Sequence, residues 1–275
     1  MHTSQEEVIP FLRWAGGKRW LTKSENRFYP QQFNSYFEPF LGSGAVFFFL
    51  NPENAVLADS NRNLIETYQS IKDDWSVVAK HLRTLQKLHS DQFYYEERSR
   101  SRRSDTAKAS QFIYLNRTCF NGLYRVNQKG NFNVPKGTKT SVVLDTDNFE
   151  LISNRLRNAQ LLHSDFADTI KHAKSGDFVF ADPPYTVNHN MNGFLQYNEK
   201  IFSYSDQIRL SETLKSAHQR GVKFTLTNAN HASIRELYEG FSLVSIGRHS
   251  IIAGNSNDRK KTDELIITNW SDDDV

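Results

Sequence analysis

The pattern of apolar and polar positions divides the chain into two outer stretches of one rhythm and a middle of another. Short dense apolar runs at 35–40 and 55–59 read as buried parallel strands, with a helix between them starting near Gly44. Residues 61–71, 75–88, 91–101 and 106–116 carry apolar side chains at helical spacing. Asn121-Gly122 and Gly130-Asn131 supply turn chemistry, so 118–135 is predicted as a loop or hairpin, and 136–148 is polar. Strand–helix alternation then resumes. Strands are predicted at 159–163, 177–181, 223–227 and 264–268, and helices at 166–172, 205–219 and 232–239. This order predicts a doubly wound, parallel α/β sheet interrupted by a mostly helical insert. Ligands of such sheets bind beyond the carboxyl ends of the strands.

At 275 residues with 38% hydrophobic, the chain suffices for one large domain or two modest ones. Its longest dense apolar run, 46–50, is far below the roughly 20 residues of a membrane span. The acidic, polar start lacks the form of a signal peptide, and the single cysteine excludes an intrachain disulfide and a cysteine-rich zinc site. The expectation is a cytoplasmic protein. A net charge of +3 conceals an asymmetry: residues 61–160 carry a net +7 and the remainder −4. Within 98–139, ten basic residues stand against one acid, Asp105. Such a block suits a polyanion, and suits a solvated helical surface equally well.

Three motifs fall at predicted strand ends. The first is 37–44, Phe-Glu-Pro-Phe-Leu-Gly-Ser-Gly, where glycines permit a tight turn and close approach of backbone to a ligand. The second is Asp59, ending the next strand, whose carboxylate can accept bonds from two ribose hydroxyls. The dinucleotide fingerprint needs a third glycine where Phe47 stands, so a nucleoside without pyrophosphate, such as S-adenosyl-L-methionine, fits better; a plain strand-to-helix turn has the same residues. Lys18, after Trp14-Ala15-Gly16-Gly17, is a cation for a ligand carboxylate or simply part of a surface turn. The third motif is Asp182-Pro183-Pro184-Tyr185. Its prolines stiffen the chain and leave the Asp182 carboxylate and the Pro183 carbonyl as fixed acceptors beside the Tyr185 ring. Two convergent acceptors and a stacking ring are what an exocyclic amine on a planar base requires.

Together with 11–18 and Asn121-Gly122-Leu123-Tyr124-Arg125, these motifs resemble those of the Dam-type, α-ordered D12 class of DNA adenine-N6 methyltransferases, over about 8–270. The resemblance implies a Rossmann-like S-adenosyl-L-methionine-dependent α/β domain at 1–60 and 158–275, with an inserted target-recognition domain at 61–157. It implies cofactor contacts at Trp14, Lys18, Phe40, Gly42, Asp59, Asp165, Phe166 and Asp182, and receipt of the target base by Asp182, Pro183 and Tyr185. DNA would meet Arg13, Arg117, Phe120, Asn121, Leu123, Arg125 and Lys139. Here Arg13 would contact the outer guanine of GATC, Leu123 and Arg125 the inner pairs, and Phe120 would act as an aromatic wedge. Arg98, Arg100, Arg102, Arg103 and Lys139 are expected at phosphates.

The implied partners are double-stranded DNA and a cognate restriction nuclease, in a bacterial or phage-encoded setting, with neither metal nor membrane. Cytosine-C5 chemistry would require a cysteine after proline; Thr118 precedes Cys119, which is therefore read as structural. An RNA or protein-glutamine N-methyltransferase with the same tetrad is the alternative. So is a nucleic-acid-binding protein that retains a degenerate shell.

Overall fold

The computed structural model describes residues 6–22, 26–127, 129–186, 202–249 and 261–271. Seven strands form one mixed sheet: β1 (Tyr36–Glu38), β2 (Ala55–Asp59), β3 (Ala159–His163), β4 (Phe178–Ala181), β5 (Lys223–Ala229), β6 (Ser242–His249) and β7 (Lys261–Thr268), in the order β3-β2-β1-β4-β5-β7-β6. The expected parallel pairing holds for β1 with β2 and β4, and for β4 with β5. It fails at β7, which runs antiparallel to both β5 and β6. Antiparallel neighbours need no helical crossover. The helices are α1 (Ala45–Leu50), α2 (Arg62–Leu88), α3 (Asp91–Ser99), α4 (Asp105–Thr118), α5 (Phe149–Leu156), α6 (Phe166–Ile170), α7 (Tyr204–Gln219) and α8 (Ala232–Leu237). No described helix is long and apolar enough to cross a membrane.

The chain forms two compact units. One contains the described residues of 26–40, 54–58 and everything from 164 onward. Its core explains the apolar runs: all four residues of β4 are buried, and Phe37, Val179, Leu210, Leu214, Phe224, Leu226, Leu265 and Ile267 pack together. Burial of each such side chain contributes roughly 1.5–3 kcal/mol. Helix α7 starts at a capping box in which Ser203 and Asp206 satisfy each other's backbone donors.

The other unit contains the described residues up to 22, with 41–53 and 59–163. This grouping departs from the boundaries read from sequence, because the first residues and the glycine loop cluster with the insert. The cause is a set of side chains on α4. Asn116 accepts from Arg13 N and donates to Arg13 O, at 2.9 and 2.7 Å, while Arg117 donates to Phe11 O. Phe11 also packs edge-on against Tyr68 and Phe149. The two helices expected at 61–71 and 75–88 meet within α2 at a kink at Asp74, whose φ of −150° leaves the helical region. Helix α5 and strand β6 have no counterpart among the expected elements.

Candidate active site

In the unit containing the glycine loop, the turn after β1 is built around Gly42 at φ +48°. A Cβ there would lie 2.7 Å from Trp14 Cδ1, so only glycine admits the indole. Gly42 N donates to Asp59 Oδ2 at 3.1 Å, Asn61 N to Asp59 Oδ1 at 2.9 Å, and Tyr68 Oη to Gly42 O at 3.1 Å. Asn61 then caps α2 by accepting from Leu64 N. Thus Trp14, Gly42 and Asp59, which are far apart in sequence, meet. Burial pushes the Asp59 carboxyl up to about 6, against the two backbone donors and His163, which favour its charged form. Lys18 is buried in the Gly16-Gly17 turn and donates to Gly16 O at 2.7 Å. Trp14 stacks with Tyr124 and Phe112, at 5.9 and 6.4 Å between centroids.

In the other unit, β4 delivers the tetrad. Asp182 Oδ1 accepts from Thr227 Oγ1 at 2.6 Å. Pro184 O accepts from Gln207 Nε2, whose Oε1 accepts from Asn228 Nδ2 at 2.9 Å. Tyr185 Oη donates to Glu264 Oε2 at 3.0 Å. Burial, with the charges of Asp182 and Glu264 nearby, holds the Tyr185 phenol far above its usual range, so it remains a donor at neutral pH. Pro183 is buried. Phe40 stacks on Phe166 at 5.4 Å, and both rings pack against Phe202.

Asp165 caps α6 at Ala167 N and pairs with Arg209 through bonds of 2.6 and 2.9 Å. The Arg209 hydrogen bonds hold the Asp165 carboxyl below the usual range, and the Arg209 guanidinium lies 4.0 Å from the centre of the Phe166 ring. Thr227, Gln207, Asn228, Glu264 and Arg209 were absent from the sequence-derived set. The available signal was polar residues, Thr225, Thr227 and Asn228, inside an otherwise apolar strand, all fully buried.

The candidate DNA-reading residues divide by exposure. Arg13, Phe120, Asn121, Arg125 and Lys139 are exposed and Leu123 is half-buried. Phe120, 51% exposed, stands on a short turn where Asn121 and Gly122 both have positive φ, at 55° and 66°. Arg125 bonds to Asn133 at 2.8 Å. Arg117 requires correction. It is 1% exposed, with both Asp147 oxygens at 2.6 and 2.7 Å and the carbonyls of Phe11 and Val142 as further acceptors. Its donors face inward, so it braces the fold rather than meeting a base.

Two of the arginines expected at phosphates already have internal partners. Arg98 donates to Val134 O, and Arg102 makes a two-bond pair with the fully buried Glu97. Arg100 also lies 3.6 Å from Glu97. Cys119 is buried, and burial pushes its thiol up to about 11, which keeps it protonated at neutral pH.

Comparison with known proteins bears on this constellation. The D12 class N6 adenine-specific DNA methyltransferase model matches residues 14–251. The chain is 37% identical over 270 residues to the type II methyltransferase M1.LlaDCHI of Lactococcus lactis subsp. cremoris, covering 95% of each chain. It is 33% identical over 288 residues to the type II methyltransferase M.MjaIII of Methanocaldococcus jannaschii, covering 96% of this chain and all of that one. To the DNA adenine methylase of Escherichia coli K12 it is 30% identical over 261 residues, with 93% of each covered. The chain therefore belongs to the D12 class of N6 adenine-specific DNA methyltransferases.

Proposed function

We propose that the chain methylates N6 of an adenine extruded from double-stranded DNA, within GATC, with S-adenosyl-L-methionine as donor. The observation that carries this reading is the tetrad: a stiff two-proline turn at the end of a buried strand, with Asp182 anchored on one oxygen and Tyr185 tied to Glu264. The donor set suits the cofactor. Asp59 is a carboxylate acceptor for ribose hydroxyls, Lys18 a buried cation for the amino-acid carboxylate, and Trp14, Phe40 and Phe166 are apolar surfaces for the remainder. Gly42 lets backbone approach, and Asp165 would position α6 more than bind adenine, since its side chain already serves Arg209 and the helix cap. When bound, this cofactor supplies an electrophilic methyl group on a sulfonium.

Asp182 and the Pro183 carbonyl accept the two N–H bonds of the target amine, turning its lone pair away from the ring and toward the methyl group. Tyr185 stacks on the base. Extrusion costs a few kcal/mol, which Phe120, as an exposed wedge, would offset by filling the gap. Arg13 would read guanine O6 and N7 of the outer pair, a good pair giving roughly 1–3 kcal/mol of discrimination, and Leu123 and Arg125 would meet the inner A·T pairs. The family assignment favours DNA over the RNA and protein-glutamine alternatives.

The deciding experiment incubates the chain with labelled cofactor and duplexes that carry GATC or a permuted sequence. Label confined to the GATC duplex, located at adenine, is expected; equal transfer to both refutes the site specificity. A restriction nuclease cutting the same sequence completes the reading, and treated DNA should resist a GATC-cutting nuclease that N6-methyladenine blocks.

Asp59 gives a pH signature. If its charged form holds the ribose, cofactor affinity measured calorimetrically should fall as pH drops through about 6, and Asp59→Asn should abolish that dependence. The ligand-free protein shows the opposite sign. Its folded state takes up this proton before the unfolded state does, so the group's contribution to stability is largest below about pH 4 and is lost as pH rises through about 6.

A further inference from the structure

Asp182 sits at the end of a strand, and the torsion that orients an aspartate's carboxylate plane is broad and roughly two-fold. Left alone, the group would sample orientations in which neither oxygen lies where an amine needs it. The fold removes that freedom from the neighbouring strand. Thr227 on β5 is 0% exposed, and its hydroxyl oxygen is 2.6 Å from Asp182 Oδ1. As a β-branched residue in a strand it is stiff about χ1, so the hydroxyl is itself a fixed donor. Its antiparallel partner in β7 is the apolar Ile266. Strand preference and packing at this position are met equally by valine, which has the same shape. The hydroxyl's distinctive use is to bond Asp182 and, beside it, the Tyr185 phenol.

The same loop is braced at two further points. Asn228, the next residue of β5 and also 0% exposed, holds Gln207, which donates to Pro184 O at 3.2 Å. Glu264 on β7, 6% exposed, accepts from the Tyr185 hydroxyl. Thus side chains buried in the sheet and in α7 reach every turn residue with a polar side chain, plus the carbonyl between them.

We infer that Thr227 is a positioning residue for methyl transfer: it anchors one oxygen of Asp182 and so fixes the carboxylate plane that meets the target amine. This rests on the reading of Asp182 as the acceptor. Misplacing a reacting group by about 1 Å can cost on the order of 100-fold in rate, whereas ground-state binding depends on other residues and should be spared.

The test uses the full chain with labelled S-adenosyl-L-methionine and a GATC duplex, and compares Thr227→Ser, Thr227→Ala and Thr227→Val. Alanine and valine should lower kcat by about 10- to 100-fold while the cofactor KM and the duplex Kd stay within about two-fold. Serine, which restores only the hydroxyl, should recover kcat to within about three-fold of the parent. If valine prevents folding, the serine–alanine pair still decides, since these differ by one oxygen atom. Equal kcat for serine and alanine overturns the proposal, as does a loss that falls on KM or Kd with kcat preserved. Asp182→Ala is measured alongside. Should it retain the parent kcat, the acceptor reading itself fails; should it be inactive while Thr227→Ala matches the parent, only the role of Thr227 fails.

Discussion

Replacing Asp182 with alanine is expected to lower kcat by about 1,000-fold, equivalent to about 4 kcal/mol of transition-state stabilisation, with duplex binding unchanged. The carboxylate is the one charged acceptor on the tetrad, and it acts on an amine whose nitrogen becomes positive as the new bond forms. Its interaction therefore strengthens between ground state and transition state, and the loss belongs on kcat. Asparagine should be intermediate: it keeps one acceptor oxygen, and the Thr227 hydroxyl can turn to accept from its amide. Single-turnover transfer of labelled methyl groups measures the first quantity, and mobility of the duplex the second. An alanine variant within ten-fold of the parent would remove Asp182 from the mechanism.

The second large effect concerns stability. Arg117→Met should destabilise the unit that holds the glycine loop by about 3–5 kcal/mol, because it leaves Asp147 buried and unpaired. Among the described residues, Leu144 N, at 2.9 Å, would remain as the donor to that carboxylate, and the Phe11 and Val142 carbonyls would lose their arginine partner as well. The double replacement Arg117→Met with Asp147→Leu should recover part of the loss, since removing both charges also removes the cost of dehydrating them. Urea denaturation of the three variants checks the ordering parent, double, single. A single variant as stable as the parent would show that the pair contributes nothing.

These two residues also mark what could be read from sequence and what could not. The tetrad was legible because its chemistry is local: four consecutive residues after an apolar run state both their position and their use. The break near Asp74 was legible for a similar reason, as the helical pattern pauses between 71 and 75. Arg117 was not. It lies four residues after Ile113, on the buried side of α4, but its partner Asp147 is 30 residues away and nothing local announces it. Helix α5 was hidden by the polar stretch before it, although Asn148 caps it and Phe149, Ile152 and Leu156 form its buried stripe. Strand β6 escaped because the side chains at 242–247 are only partly covered, which blurs any alternation of apolar and polar positions. Thr227 read as an ordinary strand residue, since its role depends on a side chain 45 positions earlier.

The inward-turned arginines alter how the chain should respond to salt. A protein that neutralises phosphates releases condensed counterions, and its affinity falls with salt as about 0.9 per neutralised phosphate on logarithmic axes. Ten cations between 98 and 139 would suggest a slope near −9. Arg98, Arg102 and Arg117 are engaged by the protein's own acceptors, Lys136 and Lys108 are paired with Asp91 and Asp105, each at 2.9 Å, and Arg100 lies 3.6 Å from Glu97. The four that remain limit this segment's share of the slope to about −4. Affinity for duplex DNA should accordingly persist to higher ionic strength than the charge count implies.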